Sequence, residues 1–86
     1  MTEGAFLYIL RCADGSYYTG WTTDLGRRLV AHNAGRGARY TRVRRPVKLI
    51  YWEECPDRRS AQRRELALKR LPRAKKLALA ASFESP

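Results

Sequence analysis

The sequence predicts an α/β fold of the α+β type, in which a small three-stranded antiparallel sheet is flanked by three helices. Two runs of strand-forming residues surround the turn signal Asp14-Gly15, and a third lies between Pro46 and Pro56. The other long segments repeat their apolar residues at helical spacing. A chain of 86 residues has the length of one small domain, so we expect a single domain over residues 1–86. The three strand-forming runs are Phe6 to Cys12, Ser16 to Trp21 and Val47 to Cys55.

The loop length of the first hairpin decides which side chains share a face. A two-residue loop would pair Tyr8 with Trp21 and put it on the face that Tyr18 avoids, because side chains alternate along a strand. A three-residue loop or a bulge would instead pair Tyr8 with Gly20 and Tyr18 with Leu10, on one face. We expect the odd-length loop. Gly20, having no side chain, would then leave room across from Tyr8 for a substrate backbone.

A first helix is expected to begin at Thr23 as its N-cap and to run to about His32. Leu25, Arg28, Leu29 and His32 lie on one face of this helix. Taken singly, Arg28 is explained as a long side chain at the edge of the core, and His32 as a satisfied histidine at a helix end. Beside two tyrosines on the facing sheet, they form a polar cluster that a core does not need.

Two further helices are expected in the second half of the chain. Asp57 suits the N-cap of a helix that extends to about Arg70, and Pro72 suits the first turn of a helix that runs through residues 77–81.

Glu65 is the only acidic residue between Asp57 and Glu84. On the predicted helix it shares an arc with Ala61 and Leu68, so its carboxylate is expected to point inward. Such a carboxylate holds either a hard cation or an ion pair, here with Arg28 or Arg64.

The spacing of these residues resembles the GIY-YIG endonuclease family. Phe6-Leu7-Tyr8 stands for its first motif and Tyr18-Thr19-Gly20 for its second, followed by Arg28, His32 and Glu65. The resemblance covers nearly the whole chain and is greatest to the short stand-alone bacterial branch, the YhbQ-like proteins. Phe6, Leu7 and Thr19 depart from the motifs at positions interpreted as packing positions. Asn33 is the sole asparagine, so the late asparagine of many family members has no counterpart.

The resemblance implies a catalytic set of five residues and one divalent metal. Arg28 would donate to the non-bridging phosphate oxygens, and Tyr18 would be a second hydrogen-bonding group. Tyr8 would act as the general base or orient the attacking water, with a pKa lowered by Arg28 and the metal. His32 would either relay the proton or hold the phosphate. Glu65 would hold a single Mg²⁺ or Mn²⁺ that keeps most of its water ligands.

The charge of the chain favours a polyanionic partner. The formal net charge is +10, from 18 Lys and Arg against 8 Asp and Glu. A membrane surface is the competing polyanion, but no apolar run has the length of a spanning helix, and no signal sequence or lipidation motif is recognisable. Nucleic acid is therefore expected, with DNA favoured and RNA possible. Cys12 and Cys55 stand apart, so we expect reduced thiols and a cytoplasmic protein.

The segment from Gly35 to Arg45 is rich in arginine and glycine and is expected to be a flexible basic loop. Arginine forks match phosphate oxygens, and Tyr40 would stack on a base or help to position the attacking water. The alternative is a solvated run of charge. The residues expected to contact nucleic acid are Gly20, Arg36, Arg39, Tyr40, Arg42, Arg44 and Arg45.

The expected function is that of a metal-dependent endonuclease that acts on structured, damaged or single-stranded DNA. The alternative is a DNA- or RNA-binding module of a repair assembly that cleaves poorly or not at all. In either case we expect a monomer or a weak homodimer.

Overall fold

The computed structural model describes residues 4–84, with seven elements in that range. They form the predicted three-stranded antiparallel sheet, in the order β2-β1-β3, with helices on both faces. The elements are β1 (Ala5–Arg11), β2 (Tyr17–Thr22), α1 (Leu25–Asn33), α2 (Arg39–Arg42), β3 (Lys48–Cys55), α3 (Arg58–Lys69) and α4 (Arg73–Glu84).

The register of the first hairpin is the predicted one. Tyr8 pairs with Gly20 and Leu10 pairs with Tyr18, so both tyrosines lie on one face of the sheet. The backbone N–H of Cys12 donates to the carbonyl of Ser16 at 2.8 Å, which leaves a loop of three residues, 13–15. Gly15 ends this loop with φ +85°, a conformation that disfavours residues with a Cβ.

The central strand β1 is covered on both faces, because its side chains alternate between two helical layers. Its odd-numbered residues pack against α3 and α4, and its even-numbered residues pack against α1. The first cluster includes Ala5, Leu7, Ile9, Ala61, Leu68 and Ala80. The second cluster includes Tyr8, Leu10, Cys12, Val47, Leu25 and Leu29. The tyrosine face is therefore the face that α1 covers.

The helix ends agree with the sequence except at one N-cap. The N-cap of α1 is Asp24, whose carboxylate accepts from the backbone N–H of Arg27 at 3.1 Å. The predicted cap at Thr23 is therefore wrong by one residue. Asp57 caps α3 as predicted and accepts from the N–H of Ser60 at 2.7 Å. Pro72 directly precedes α4.

The predicted flexible basic loop contains a short helix, α2, so residues 4–84 form four helices rather than three. Thr41 of α2 is fully buried, because its side chain packs under the loop and bonds to His32. Arg44 pairs with Asp14 at 3.1 Å and donates to the carbonyl of Tyr40 at 2.9 Å. These bonds fold the segment onto the rest of the domain, which sequence composition could not indicate.

Glu53, on β3, accepts three hydrogen bonds. Its carboxylate accepts from Arg64 through both guanidinium edges, at 2.8 and 2.9 Å, and from the Tyr51 hydroxyl. Burial and the neighbouring carboxylate raise the pKa of Tyr51 to about 12. Cys12 and Cys55 are both free, as expected, and both are buried. No helix within residues 4–84 has the length and apolar character that crossing a bilayer requires.

Candidate active site

A chain of hydrogen bonds connects Tyr8 to α2 through His32. The Tyr8 hydroxyl lies 2.9 Å from Nε2 of His32, and Nδ1 of His32 lies 2.7 Å from Oγ1 of Thr41. The Thr41 hydroxyl donates to the carbonyl of Ala38 at 3.0 Å. His32 has no exposed surface, and Tyr8 is only 2% exposed. Both ring nitrogens of His32 are thus occupied by protein groups.

The bond from Thr41 to the Ala38 carbonyl determines which group is the donor in the other two bonds. The Thr41 hydroxyl has one proton, which it donates to the Ala38 carbonyl. Its oxygen must therefore accept from Nδ1–H of His32. We therefore assign the neutral His32 tautomer in which Nε2 carries no proton and accepts from the Tyr8 hydroxyl. The Tyr8 oxygen is left with lone pairs that can accept other protons.

The electrostatics of the pair agree with this assignment. Burial, and then the charge of Arg28, lower the pKa of His32 to about 4, so the imidazole is neutral near pH 7. Burial raises the pKa of Tyr8, and the hydrogen bond from Arg28 opposes this shift without cancelling it. Arg28 thus shifts the pKa of Tyr8 in the expected direction, but burial outweighs it. The phenol is protonated.

Arg28 reaches the same hydroxyl from α1, with Nε donating to the Tyr8 oxygen at 3.4 Å. No acidic side chain within residues 4–84 forms an ion pair with Arg28. Its guanidinium lines a groove of about 300 Å³ that begins at the first turn of α1. An unneutralised guanidinium beside a groove is suited to bind a phosphate oxygen.

Tyr18 joins the cluster through its ring. Its centroid lies 6.5 Å from that of Tyr8 and 5.4 Å from that of His32, and the ring of Tyr40 stacks on it at 6.0 Å. The guanidinium of Arg44 lies 3.9 Å from the Tyr40 centroid. Tyr40 and Arg44 thus support Tyr18, a packing role that the expected base-stacking and phosphate-binding roles did not include.

Glu65 lies on α3, and its side chain is 17% exposed, so the carboxylate points inward as predicted. Its negative charge contributes to the raised pKa of Tyr8. Within residues 4–84 its ion pair is with Lys69, at 3.3 Å, and not with Arg28 or Arg64. The structure therefore brings Tyr8, Tyr18, Arg28 and His32 into contact, and it places Glu65 within electrostatic reach of them.

Two glycines are required by close packing in this site. A Cβ on Gly20 would lie 2.6 Å from the Tyr8 hydroxyl oxygen, so the space across from Tyr8 is filled by its own ring and not by a substrate backbone. The predicted contact of Gly20 with nucleic acid loses its physical basis. A Cβ on Gly37 would lie 2.3 Å from Nδ1 of His32. Gly37 is thus needed so that His32 can reach Thr41.

The remaining basic residues of the segment lie on the surface near α2. Arg36, Arg39, Arg42 and Arg45 are all exposed, as a phosphate-binding surface requires. Arg45 donates to the Arg42 carbonyl at 2.8 Å, and both line an open groove of about 680 Å³. Asn33, the sole asparagine, bonds to both backbone groups of Val47, at 2.7 and 3.1 Å, so it ties α1 to the segment before β3.

Known proteins resemble this chain over most of its length. The family model described as the GIY-YIG catalytic domain matches residues 4–78. The chain belongs to this family. A UPF0213 protein of Xanthomonas axonopodis is 60% identical over 72 residues, which cover 84% of this chain and 71% of the relative. A UPF0213 protein of Clostridium perfringens is 53% identical over 77 residues, which cover 90% and 83%.

Two solution structures determined by NMR resemble this GIY-YIG domain. The UPF0213 protein BH0048 of Bacillus halodurans has a TM-score of 0.61 and 43% identity, with 96% of this chain and 88% of that chain covered. The protein EF2693 of E. faecalis has a TM-score of 0.62 and 40% identity, with 95% and 88% covered. The resemblance to a short GIY-YIG branch and the predicted fold are thereby confirmed.

Sequence reasoning missed Thr41, Gly37 and Lys69 as parts of the candidate site. Lys69 follows Glu65 at the i, i+4 spacing that favours an ion pair on a helix, so this contact could have been predicted. Thr41 and Gly37 lie in a segment without periodicity, where composition gives no indication of what contacts His32.

The buried His32 predicts a loss of stability in mild acid. Because its pKa is lowered in the folded GIY-YIG domain, the unfolded chain binds a proton more readily between about pH 6.5 and pH 4. We expect the free energy of unfolding to fall by about 2 kcal/mol between about pH 7 and pH 5. Urea denaturation at a series of pH values measures this. His32 is the only histidine, so a His32→Gln variant should show little of the pH dependence, and an equal slope in that variant contradicts the assignment.

Proposed function

We propose that this GIY-YIG domain is an endonuclease that hydrolyses phosphodiester bonds in nucleic acid, with DNA as the favoured substrate. The observation that supports the proposal is the Tyr8 hydroxyl, held between a neutral His32 and an Arg28 that has no acidic partner within residues 4–84. A hydrolytic site needs a proton acceptor for water and a fixed positive charge for the phosphate. Tyr8, His32 and Arg28 supply both at one place.

The hydrogen-bond chain gives Tyr8 a route to act as a base although its pKa is raised. The phenol accepts a proton from the attacking water while it passes its own proton to Nε2 of His32. Thr41 holds the His32 ring in the tautomer that can receive this proton. Of the two expected roles of His32, the relay is favoured, because a fully buried ring with two protein partners has no access to a phosphate.

Arg28 acts on the phosphate itself. A guanidinium that bonds to Tyr8 through Nε has its two terminal NH₂ groups free to donate to the non-bridging oxygens. These bonds strengthen as negative charge grows in the transition state. Tyr18, half-buried beside Tyr8, adds a second hydroxyl that can orient the phosphate or the water.

A divalent cation fits Glu65, although the fit rests on a single carboxylate. No group of three or more His, Cys, Asp or Glu side chains able to hold a metal lies within the described range, 4–84. A single carboxylate could hold a Mg²⁺ or Mn²⁺ that keeps several waters and also contacts substrate phosphate. When bound, such an ion would polarise the phosphate and stabilise the leaving oxygen. Lys69 forms an ion pair with the Glu65 carboxylate at 3.3 Å.

A nucleic-acid-binding module of a repair assembly is the second candidate, favoured by the net charge of +10. Glu65→Gln separates the two candidates, because it removes the charge that holds the metal and leaves the arginines in place. We expect the variant to cleave DNA about tenfold to a hundredfold more slowly in Mg²⁺ or Mn²⁺, with binding in chelator reduced by less than about twofold.

The cleavage assay should use single-stranded, duplex and forked DNA as well as RNA, with Mg²⁺, Mn²⁺ or chelator. Glu54→Gln is the matched control, because Glu54 is exposed on β3 and lies outside the cluster. Binding without cleavage by the parent protein on every substrate would favour the binding module. Equal cleavage by the parent and Glu65→Gln would remove Glu65 from the reaction.

A further inference from the structure

A cleft of about 210 Å³ lies along the free edge of β2, directly beside Tyr18. Its lining residues come from β2, α2, α3 and α4. They are Tyr17, Tyr18, Thr19, Tyr40, Lys69 and Lys76. Tyr18, Tyr40 and Lys69 have been described above, whereas Tyr17, Thr19 and Lys76 have no role in the candidate active site. We propose that this cleft binds one unpaired nucleobase, with its phosphate, next to the phosphate that is cleaved. The inference rests on the proposed function of the site.

The walls of the cleft suit a base. Three of its lining residues are the aromatic Tyr17, Tyr18 and Tyr40, and exposed aromatic surface contacts bases of any sequence. The cleft has the volume of about seven water molecules in the liquid, at ~30 Å³ each. This volume is enough for one base and is smaller than that of a base pair. A base within a duplex would have to leave the stack to enter it.

Thr19, one of the lining residues, carries a buried hydroxyl that has no hydrogen-bond partner within residues 4–84. Thr19 is 3% exposed, and its Oγ1 is the one buried side-chain oxygen or nitrogen within residues 4–84 that lacks a hydrogen-bond partner. Leaving such a group unpaired is costly in a folded protein. An incoming base edge, with its own donors and acceptors, would satisfy it.

The backbone at this edge is also open to a ligand. The bond from Cys12 N–H to the Ser16 carbonyl fixes the alternation of the hairpin, so Tyr18 and Gly20 direct their backbone groups toward β1. Thr19, between them, directs its N–H and C=O toward the free edge of β2. A strand edge of this kind offers a donor and an acceptor side by side.

The charges on the rim match a phosphate. Lys76 is half-buried at the cleft, and no acidic side chain within residues 4–84 pairs with it. Lys69 connects the cleft with Glu65, to which its ammonium bonds at 3.3 Å. Together with Tyr18, this contact makes the cleft continuous with the candidate active site, so a nucleotide bound there belongs to the strand that is cut.

Binding without cleavage tests the inference separately from the proposed function. Fluorescence anisotropy in chelator would compare a short oligothymidylate, the same backbone without bases, and a duplex of equal length. We expect the parent to bind the oligothymidylate about tenfold more tightly than the abasic strand. Lys76→Met should lower single-strand affinity several-fold and reduce the salt slope by about 0.7, whereas Lys75→Met, on the exposed side of α4, should change affinity less than about twofold.

Thr19→Val distinguishes a ligand-binding hydroxyl from a packing residue. Removing an unpaired buried hydroxyl should raise Tm by about 4 °C, and it should also abolish most of the preference for the strand with bases. A raised Tm with the preference intact, or equal binding of the abasic strand by the parent, overturns the base cleft. A selective binder that never cleaves overturns the proposed function instead and leaves the cleft standing.

Discussion

Tyr8→Phe is expected to lower the rate of DNA cleavage by about a thousandfold while the fold and DNA binding persist. Proton transfer by a positioned side chain accounts for roughly 10²–10⁴ in rate, and the phenol is the group through which a proton reaches His32 in the bonded chain. Phenylalanine preserves the ring that packs over Gly20 and beside Tyr18. Single-turnover cleavage of a saturating substrate measures the loss in the chemical step.

Tyr51→Phe is the matched control for this substitution. Its hydroxyl lies on the opposite face of the sheet, bonded to Glu53, so the same chemical change is made away from the cluster. We expect its cleavage rate to stay within about twofold of the parent. A Tyr8→Phe variant as active as the Tyr51→Phe variant would show that the phenol carries no proton in the reaction, and Tyr18 would then be the remaining hydroxyl.

The relation between the two tyrosines could be predicted from sequence because strand alternation is a strong constraint. Tyr8 and Tyr18 share a face only with an odd-length loop, and the observed pairing of Tyr8 with Gly20 has that register. The side of α1 that carries Arg28 and His32 followed from helical periodicity in the same way. Both inferences use short-range geometry that a few neighbouring residues determine.

What lies behind His32 could not be predicted, because it depends on a segment without periodicity. The segment from Gly35 to Arg45 has the composition of a solvated loop, yet it folds back so that Thr41 is buried against the ring of His32. At Gly20, too, the contacting group could not be predicted from sequence. Its lack of a side chain correctly indicated a close approach, but the approaching group is the Tyr8 phenol and not a substrate. The sequence thus identified the residues of the candidate site more readily than the groups that each of them contacts.

Arg28→Ala is expected to lower the cleavage rate by a factor of several hundred. Removing one preorganised donor aimed at developing negative charge typically costs about 10²–10³ in rate, and Arg28 is the guanidinium that contacts the Tyr8 hydroxyl. Its loss would also leave Tyr8 with one fewer bond that lowers its pKa, so proton transfer should suffer as well. Parallel measurements of single-turnover rate and of binding in chelator separate this effect from general loss of positive charge.

Arg28→Lys and Arg59→Ala serve as controls with opposite purposes. Lysine keeps the charge but lacks the planar fork that donates to Tyr8 and to two phosphate oxygens at once, so we expect it to recover only part of the rate. Arg59 is exposed at the start of α3, and its removal changes the net charge equally. If Arg59→Ala slowed cleavage as much as Arg28→Ala, the positive surface as a whole would account for the effect. If Arg28→Lys matched the parent, a point charge would suffice, and the bidentate geometry would play no part in stabilising the transition state.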